Sequence, residues 1–457
     1  MNTICLTESA TEPTVVVDVS PREPVWRVVG GSVAAGLVGA MVLTLGVFGG
    51  AEEHVISGTA LLAFAAGWTM LDVLSARFTS RPQRWARVPA VCMAVAGSIL
   101  LVAQPDDQAL NAAGWVWPPL VVVLSVWMLV QLRRSLEGRV RWLVYPIIAA
   151  LAVASVGAMF ETAATAHDRH TYRAPGTLYD VGGHRLHLNC SGSGSPTVVL
   201  ENGLGEISPA WARITAQVSP STRVCAYDRA GQAWSDDVSD PQDGLAIATD
   251  LHRLLARAGE KGPYVLVGHS AGGTYVMSYA ALYPGDVAGM VLLDSMSPYE
   301  FSEFPGFATE QSMMSRGLGV LPSLTRLGVA RILPTSVWSS LPEPQASQVQ
   351  VFASSPRGMR NMRDEQSMYR TVFEEAKMLT SLHDKPLVVV TATESLQKKG
   401  WSELQDRLAA LSTNSRHRVA DATHSGVVDD KAGCESSVQA ILDVVHSVRT
   451  HEPVAAR

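Results

Sequence analysis

The sequence predicts two folds in series: a bundle of membrane-spanning helices, followed by an α/β domain built on a mostly parallel sheet. Three observations lead to this prediction. Residues 25–160 are strongly apolar, whereas residues 161–457 have the mixed composition of a soluble domain. In the second part, short apolar runs alternate with helical patterns, as in a parallel sheet covered on both faces. One of these runs leads directly into a serine flanked by glycines, Gly268-His269-Ser270-Ala271-Gly272.

Five apolar stretches predict the membrane bundle, because each is close to the ~20 residues that cross the hydrocarbon core. They are residues 26–48, 55–78, 88–103, 115–132 and 142–160. Small residues crowd the first stretch, as suits close helix packing in lipid. Asp72 is the one charged residue well inside a stretch. The bundle is therefore assigned to anchoring and helix packing, with transport or sensing left open.

Loop charges predict the orientation of the bundle. Arginines precede the first stretch and fill the second and fourth loops, whereas the first loop has Glu52 and Glu53 and the third has Asp106 and Asp107. Because positive loops remain in the cytoplasm, five crossings place everything after about residue 161 on the outer side of the cell membrane. The predicted parts are a cytoplasmic tail (1–24), a five-helix transmembrane region (25–160), a linker (161–176) and an extracytoplasmic domain (177–457).

The elements of the outer domain follow in order. Two alternating runs around Gly182-Gly183 predict a β-hairpin. Apolar runs then predict strands at residues 197–201, 223–228, 264–267, 287–293, 386–391 and 418–420. Helical patterns cover residues 211–218, 245–258, 274–283 and 434–448, with a further helix between the last two strands. We therefore expect a parallel sheet whose ligand lies beyond the carboxyl ends of its strands.

Ser270 lies in a G-x-S-x-G pattern between a predicted strand and a predicted helix that Pro284 ends. Strand, sharp turn and helix in this order predict a nucleophile elbow, which holds its serine in a strained backbone conformation. A simple structural turn is the weaker alternative.

In the order and spacing of its motifs, the region 177–448 resembles the α/β-hydrolase fold family, in its serine hydrolase and esterase branch. The matching motifs are Glu201-Asn202-Gly203-Leu204 in the place of the oxyanion loop, Tyr227-Asp228-Arg229-Ala230-Gly231, the Ser270 elbow, and Ala422-Thr423-His424. The oxyanion loop departs from the family pattern, since it begins Asn-Gly instead of His-Gly. The resemblance implies an eight-stranded, mostly parallel sheet with a helical cap at about residues 297–384.

The resemblance also implies a catalytic triad in the order nucleophile, acid, histidine. Ser270 needs a base, and His424, just past the last strand, is predicted to be that base, whereas His269 on the elbow is predicted to be structural. Two carboxylates satisfy the chain order, Asp294 and Glu394. Asp294 is favoured as the acid, and Glu394 remains the alternative.

Leu204 and Ala271 are the predicted oxyanion-hole residues, through their backbone amides. No cluster with metal-ligand spacing occurs, so neither a metal nor another cofactor is expected. The net charge of −6 and the absence of a basic stripe argue against a nucleic-acid partner. The cap is rich in Met, Phe and Leu, which favours an adaptable apolar pocket for a small ester.

Cys190 and Cys225 lie in strands that are neighbours in the sheet order of this family. In an exported domain they would form a disulfide, and the alternative is two small buried thiols. Cys434 would stay unpaired, and Cys5 and Cys92 belong to the membrane half.

These observations favour a membrane-anchored serine hydrolase that cleaves carboxylic esters through an acyl-enzyme intermediate, with the lipid bilayer and an apolar ester as its partners. Two alternatives remain, because a fold by itself does not choose a reaction. One is another reaction of this fold: amide, thioester or carbon–carbon cleavage, or acyl transfer. The other is a non-catalytic ligand-binding domain on a membrane sensor.

Overall fold

The computed structural model describes residues 24–332 and 340–454. The predicted cytoplasmic tail, apart from Pro24, lies outside the described residues, and so does Cys5. The helices of the N-terminal part are α1 (Val25–Met41), α2 (Glu53–Phe78), α3 (Arg87–Ala103), α4 (Asp107–Ala113), α5 (Trp117–Ser135) and α6 (Arg141–Thr171). π-Helical turns extend α1 to Val47.

Four helical segments in the described part of the chain are long and apolar enough to cross a membrane. They are Val25–Val47, Glu53–Phe78, Arg84–Ala103 and Gly138–Thr171. A fifth span forms if α4 and α5, which meet at an angle of 44°, count as one. Pro118 and Pro119 at the start of α5 fit this break, because proline cannot supply the amide that would continue the preceding helix. The predicted bundle of apolar helices is therefore present, with a bend before its fourth apolar stretch.

The predicted linker differs from the structure, because α6 continues through Thr171 and leaves five residues before the first strand. The polar end of α6 is held by an arginine from the other half of the chain. Arg331 Nε lies 2.7 Å from a carboxylate oxygen of Glu161, and its Nη1 lies 2.7 Å from Asp168. The polar residues after position 160 suggested a linker, but they form the C-terminal part of α6, which contacts the outer domain.

The elements of the outer domain, in chain order, are β1 (Thr177–Asp180), β2 (Arg185–Ser191), β3 (Val198–Glu201), α7 (Ala212–Val218), β4 (Val224–Asp228), α8 (Gly244–Arg257), β5 (Tyr264–His269), α9 (Gly272–Leu282), β6 (Val287–Leu293), α10 (Glu300–Glu303), α11 (Phe307–Arg326), α12 (Val329–Ile332), α13 (Gln345–Ala353), α14 (Pro356–Ala376), β7 (Leu387–Ala392), α15 (Trp401–Ala409), β8 (Ser415–Ala420), α16 (Gly426–Asp429) and α17 (Gly433–Thr450).

The eight strands form one sheet in the order β1-β2-β4-β3-β5-β6-β7-β8. β2 is antiparallel to both of its neighbours, and all the other pairs are parallel. β3 to β7 are almost wholly buried, as expected of strands covered on both faces. Helices α8, α9 and α15 pack on one face, and α7, α16 and α17 pack on the other. The predicted fold class is confirmed.

The register of the parallel strands aligns their carboxyl ends at one edge of the sheet. Glu201 of β3 is level with Gly268 of β5, and His269 is level with Leu293 of β6. The loops after β3, β5, β6, β7 and β8 therefore leave the sheet together. Between β6 and β7, helices α10 to α14 form the cap above this edge, and α11 also contacts α2 and α6 of the bundle.

Candidate active site

Ser270 occupies the turn between β5 and α9 with a φ of +53°, in the left-handed region that residues with a side chain rarely adopt. The glycines on either side of it are required by close packing. A Cβ on Gly268 would lie 2.6 Å from the carbonyl oxygen of Gly272, and a Cβ on Gly272 would lie 2.5 Å from that of Glu201. The two glycines thus allow the strand and the helix to pack closely, and Ser270 lies at the apex of the turn between them.

The structure brings Ser270, His424 and Asp294 together across 154 residues of sequence. His424 Nε2 lies 3.0 Å from Ser270 Oγ, and His424 Nδ1 lies 2.6 Å from Asp294 Oδ2. Glu394 is exposed, and its carboxylate accepts a hydrogen bond from the backbone amide of His424, at 2.7 Å. Glu394 therefore holds the histidine loop, whereas Asp294 holds the imidazole ring.

Asp294 is fully buried, and its backbone also has a positive φ, +40°. Its carboxylate accepts hydrogen bonds from Ser395 Oγ at 2.6 Å, the Ala392 amide at 3.1 Å and Trp401 Nε1 at 3.2 Å. Burial tends to raise the pKa of Asp294, but the hydrogen bonds and charge of His424 outweigh it, and the pKa lies below its ordinary value. This site stabilises an ionised carboxylate beside the ring of His424.

The loop after β3 runs close to the serine. A Cβ on Gly203 would lie 3.1 Å from the Cβ of Ser270. Within residues 24–332 and 340–454, no acceptor takes up the backbone amide of Leu204 or of Ala271. Both amides are therefore free to donate to a bound oxygen.

Arg229 binds the backbone of this loop and is itself almost completely buried. Its guanidinium donates to the carbonyl oxygens of Asn202 and Gly203, at 2.6 and 2.9 Å. It also pairs with the buried carboxylates of Glu201 and Glu365, at 2.6 and 2.8 Å. The sequence motif around Arg229 supported the family resemblance, but it gave no sign of this role.

Glu365 belongs to cap helix α14, and it also accepts a hydrogen bond from the backbone amide of Gly205 at 3.2 Å. Its other oxygen binds Arg229 and Gln232. The cap is thus linked directly to the loop that carries Leu204. No sequence signal pointed to Glu365, because it lies on a charged helix that resembles any solvent-exposed one.

His269, predicted to be structural, packs against the ring of His424, with ring centroids 4.8 Å apart. Its Nδ1 contacts the carboxylate of Glu206, and its Nε2 lies 2.9 Å from the carbonyl oxygen of His424. Burial tends to lower the pKa of His269, but the Glu206 carboxylate outweighs it and raises the pKa. Glu206 also accepts from the Gly203 amide at 2.5 Å. The pair therefore supports both the loop that carries His424 and the loop after β3, a role the sequence did not reveal.

A cavity of about 470 Å³ opens beside Ser270 and His424. Apolar side chains of the cap line much of it, among them Leu321, Leu324, Val329, Met359 and Met362. Its size is within the ~300–1,000 Å³ range usual for small-molecule sites.

Cys190 and Cys225 face each other directly on β2 and β4, and the structure joins them in a disulfide, with their Cα atoms 4.0 Å apart. Cys434 is a buried free thiol, and Cys92 is exposed on the apolar bundle.

Part of the outer domain is also similar in sequence to known proteins. Residues 196–312 match the alpha/beta hydrolase fold family. An uncharacterised protein of Schizosaccharomyces pombe is 28% identical over 300 residues, which cover 57% of this chain and 54% of that protein. The uncharacterised protein YbdG of Bacillus subtilis is 27% identical over 169 residues, or 36% of this chain and 51% of that one. This chain thus spans about half the length of these two relatives.

Among solved structures, the Cif epoxide hydrolase from Acinetobacter nosocomialis superposes with a TM-score of 0.51 at 17% sequence identity. The match covers 62% of this chain and 96% of that one. At this identity the likeness concerns the fold alone. The outer half of this chain has the α/β-hydrolase fold, preceded by a helical region of apolar helices.

Proposed function

We propose that this α/β-hydrolase-fold chain is a membrane-anchored serine hydrolase that cleaves carboxylic esters. The observation that carries the proposal is the continuous contact from Ser270 Oγ through the His424 ring to the buried carboxylate of Asp294. A serine hydroxyl is a weak nucleophile unless an adjacent base takes its proton. His424 stands at hydrogen-bond distance to do so.

In the proposed reaction, Ser270 Oγ attacks the ester carbonyl while His424 Nε2 takes the hydroxyl proton. The ester C–O bond then breaks, the proton passes from His424 to the departing alcohol, and an acyl-Ser270 ester remains. Water, deprotonated by His424, then attacks the acyl carbonyl. The bond from the acyl carbon to Ser270 Oγ breaks, the acid leaves, and the proton returns from His424 to Ser270 Oγ. Asp294 holds the Nδ1–H tautomer of His424 and stabilises the imidazolium that forms in each half of the reaction.

The amides of Leu204 and Ala271 are the proposed donors to the oxyanion of each tetrahedral intermediate. Backbone donors that are already in position lose no energy to reorganisation as this charge develops. Arg229 and Glu365 are proposed as positioning residues, because they fix the loop that carries Leu204 on both its sheet side and its cap side.

The proposed location of the hydrolase domain is outside the cytoplasm. The cap contacts Glu53 and Asp107, which flank the acidic first and third loops, whereas the arginine-rich loops lie at the opposite ends of the helices. The charge rule for loops assigns the acidic end to the outside. The Cys190–Cys225 bond supports the same side, since disulfides persist in oxidising compartments.

The test is reaction of the full-length protein, in detergent, with a fluorophosphonate probe and with p-nitrophenyl esters of graded chain length. We expect labelling and hydrolysis by the wild type, and neither by Ser270→Ala. Ser302→Ala, at an exposed position of the cap, is the matched control and should behave as the wild type. A folded wild-type protein that fails to react with the probe would contradict the proposal.

A further inference from the structure

The segment from α11 into α12 has two functional faces. One face lines the cavity beside Ser270 with Leu321, Leu324 and Val329. The other face contacts the membrane bundle through Arg326 and Arg331. The wall of the reaction pocket is therefore also the part of the outer domain that touches the membrane helices.

Charged contacts mark where this segment meets the bundle. Arg326 binds the carboxylates of Glu53 and Asp107, which begin α2 and α4, and Arg331 binds Glu161 in the C-terminal third of α6. All three carboxylates are buried in these contacts. Because unpairing a buried charge is costly, the two arginines hold the cap at a defined height on the bundle. We call this set of contacts the arginine clasp.

Other contacts lie deeper in the bundle than the arginine clasp. Ser323 Oγ is 2.7 Å from Ser57 Oγ, one helical turn inside α2 from Glu53. The Leu327 backbone lies against Gly157, where a Cβ would come within 2.2 Å of its carbonyl oxygen, again one turn inside the clasp. One turn is ~5 Å. The wall of the pocket thus reaches below the charged ends of the spans.

Large apolar side chains are exposed on both partners beside these contacts. On α6, Val156 and Phe160 flank the Gly157 contact and are 58% and 57% exposed. On the cap, Leu324 at the pocket wall and Ile332 at the end of α12 are 39% and 76% exposed. Apolar surface on a transmembrane helix is covered by lipid chains. The same cover would extend to the adjoining apolar surface of the cap.

From this placement we infer that the pocket takes its substrate sideways from the outer leaflet, and that the substrate is a membrane lipid with an ester-linked acyl chain. This inference rests on the proposed ester hydrolysis and adds the source of the ester. An acyl chain that passes from the leaflet into an apolar pocket never exposes its methylene groups to water, so the transfer avoids the unfavourable hydration of apolar surface.

The test compares an ester in the same membrane with an ester in a separate one. The full chain is reconstituted into vesicles of ether-linked phosphatidylcholine, so that a fluorogenic long-chain acyl ester at a few mole per cent is the one ester present. The ester is placed either in the enzyme's own vesicles or in separate vesicles mixed with them. A water-soluble short-chain ester is measured in parallel, and Ser270→Ala vesicles give the background.

We expect the long-chain ester to be cleaved at least about tenfold faster in the enzyme's own vesicles, because confinement to one bilayer raises its effective concentration. The short-chain ester should be cleaved in both preparations. Equal long-chain rates in the two arrangements would overturn the inference and leave ester hydrolysis intact. Failure to cleave either ester would count against the proposed function itself.

Variants of the arginine clasp provide a second test. The ratio of the long-chain rate in the same vesicle to the short-chain rate does not depend on the folded fraction. Arg331→Gln, which removes the clasp from Glu161, is expected to lower this ratio severalfold. Arg223→Gln breaks a two-hydrogen-bond contact to Glu260 at the amino-terminal end of β4, the end away from the cap, and should leave the ratio at its wild-type value. An unchanged ratio in Arg331→Gln would contradict the inference; Glu161→Gln, which removes the carboxylate of the same contact, replaces it if Arg331→Gln does not fold.

Discussion

Asp294 Oδ2 lies 2.6 Å from His424 Nδ1, on the side of the ring opposite Ser270. Because the ionised carboxylate can only accept, this contact requires a proton on Nδ1 and leaves the lone pair of Nε2 directed at the serine. The buried surroundings of Asp294, with donors at Ser395, Ala392 and Trp401, keep its carboxylate in one orientation. The contact therefore sets both the tautomer and the direction of the proposed base.

Asp294→Asn is expected to lower kcat by about 10³–10⁴-fold, because an amide in this position favours the wrong tautomer of His424. Glu394→Gln is the matched control. Its amide oxygen can still accept from the His424 amide, and the variant should retain most of its activity. Steady-state ester hydrolysis measures both. The reverse order of the two losses would show that Glu394, and not Asp294, is the acid.

Arg229→Lys is expected to lower kcat by up to about 100-fold, because a lysine cannot bridge Asn202, Gly203 and Glu365 at once. A small displacement of the proposed oxyanion donors is costly. KM should change little, since the cavity wall is untouched.

Arg223→Lys is the control for Arg229→Lys. Arg223 stands at the other end of β4 and also makes two hydrogen bonds to one carboxylate, that of Glu260. It should keep the wild-type kcat even if its melting temperature falls. A purely structural role for Arg229 would appear as lost stability with an unchanged kcat per folded molecule.

Glu300→Gln is expected to stabilise the protein above neutral pH. Burial raises the pKa of Glu300 to about 8, and its Oε2 has no partner among the described residues. At pH values between the ordinary pKa of a glutamate and about 8, Glu300 keeps its proton in the folded state, whereas it has released that proton in the unfolded state. The free energy of unfolding therefore falls as pH rises to about 8, by a total on the order of a few kcal/mol.

The measurement is thermal unfolding of wild type and Glu300→Gln between pH 5 and 9. The variant should lack this part of the pH dependence, because its amide stays neutral and can still accept from the Ser297 amide. Glu403→Gln, at an exposed position on α15, should follow the wild type. Parallel curves for wild type and Glu300→Gln would refute the prediction.

Reduction of the Cys190–Cys225 bond is expected to destabilise the outer domain by about 4 kcal/mol, because it closes a loop of 35 residues in the unfolded chain. Alkylation of the denatured protein before and after reduction checks the bond by mass, which should rise by two further adducts after reduction. Cys434→Ser should leave this difference unchanged. Equal adduct numbers before and after reduction would show two free thiols.

The sequence predicted those features whose cause is local. Continuous apolar runs mark strands buried on both faces, and five long apolar stretches mark the helices that lipid can cover. The elbow was recognisable because Gly268 and Gly272 are required by backbone contacts within a few residues of Ser270. The last strand was predicted too short, at 418–420. Its first residues, Ser415 to His417, carry the polar pattern of an edge strand and not an apolar run.

Other features depended on contacts between distant residues. Asp294 and Glu394 both follow strands that end at the same edge, so chain order could not separate them. Their side-chain directions come from the packing around each loop. The end of α6 looked like a linker because Glu161 and Asp168 are charged, and their partner Arg331 lies more than 160 residues away in the chain.

The sequence by itself determined the two-part architecture, the sheet and the apex position of Ser270, because hydrophobic patterning and glycine placement act over a few residues. Only the tertiary structure decided which carboxylate meets His424, how Arg229 and Glu365 hold the proposed oxyanion loop, and where the cap contacts the bundle. These are pairings of buried polar groups. Each needs its partner to offset the loss of water, and nothing in the local pattern of a chain says which partner the fold will supply.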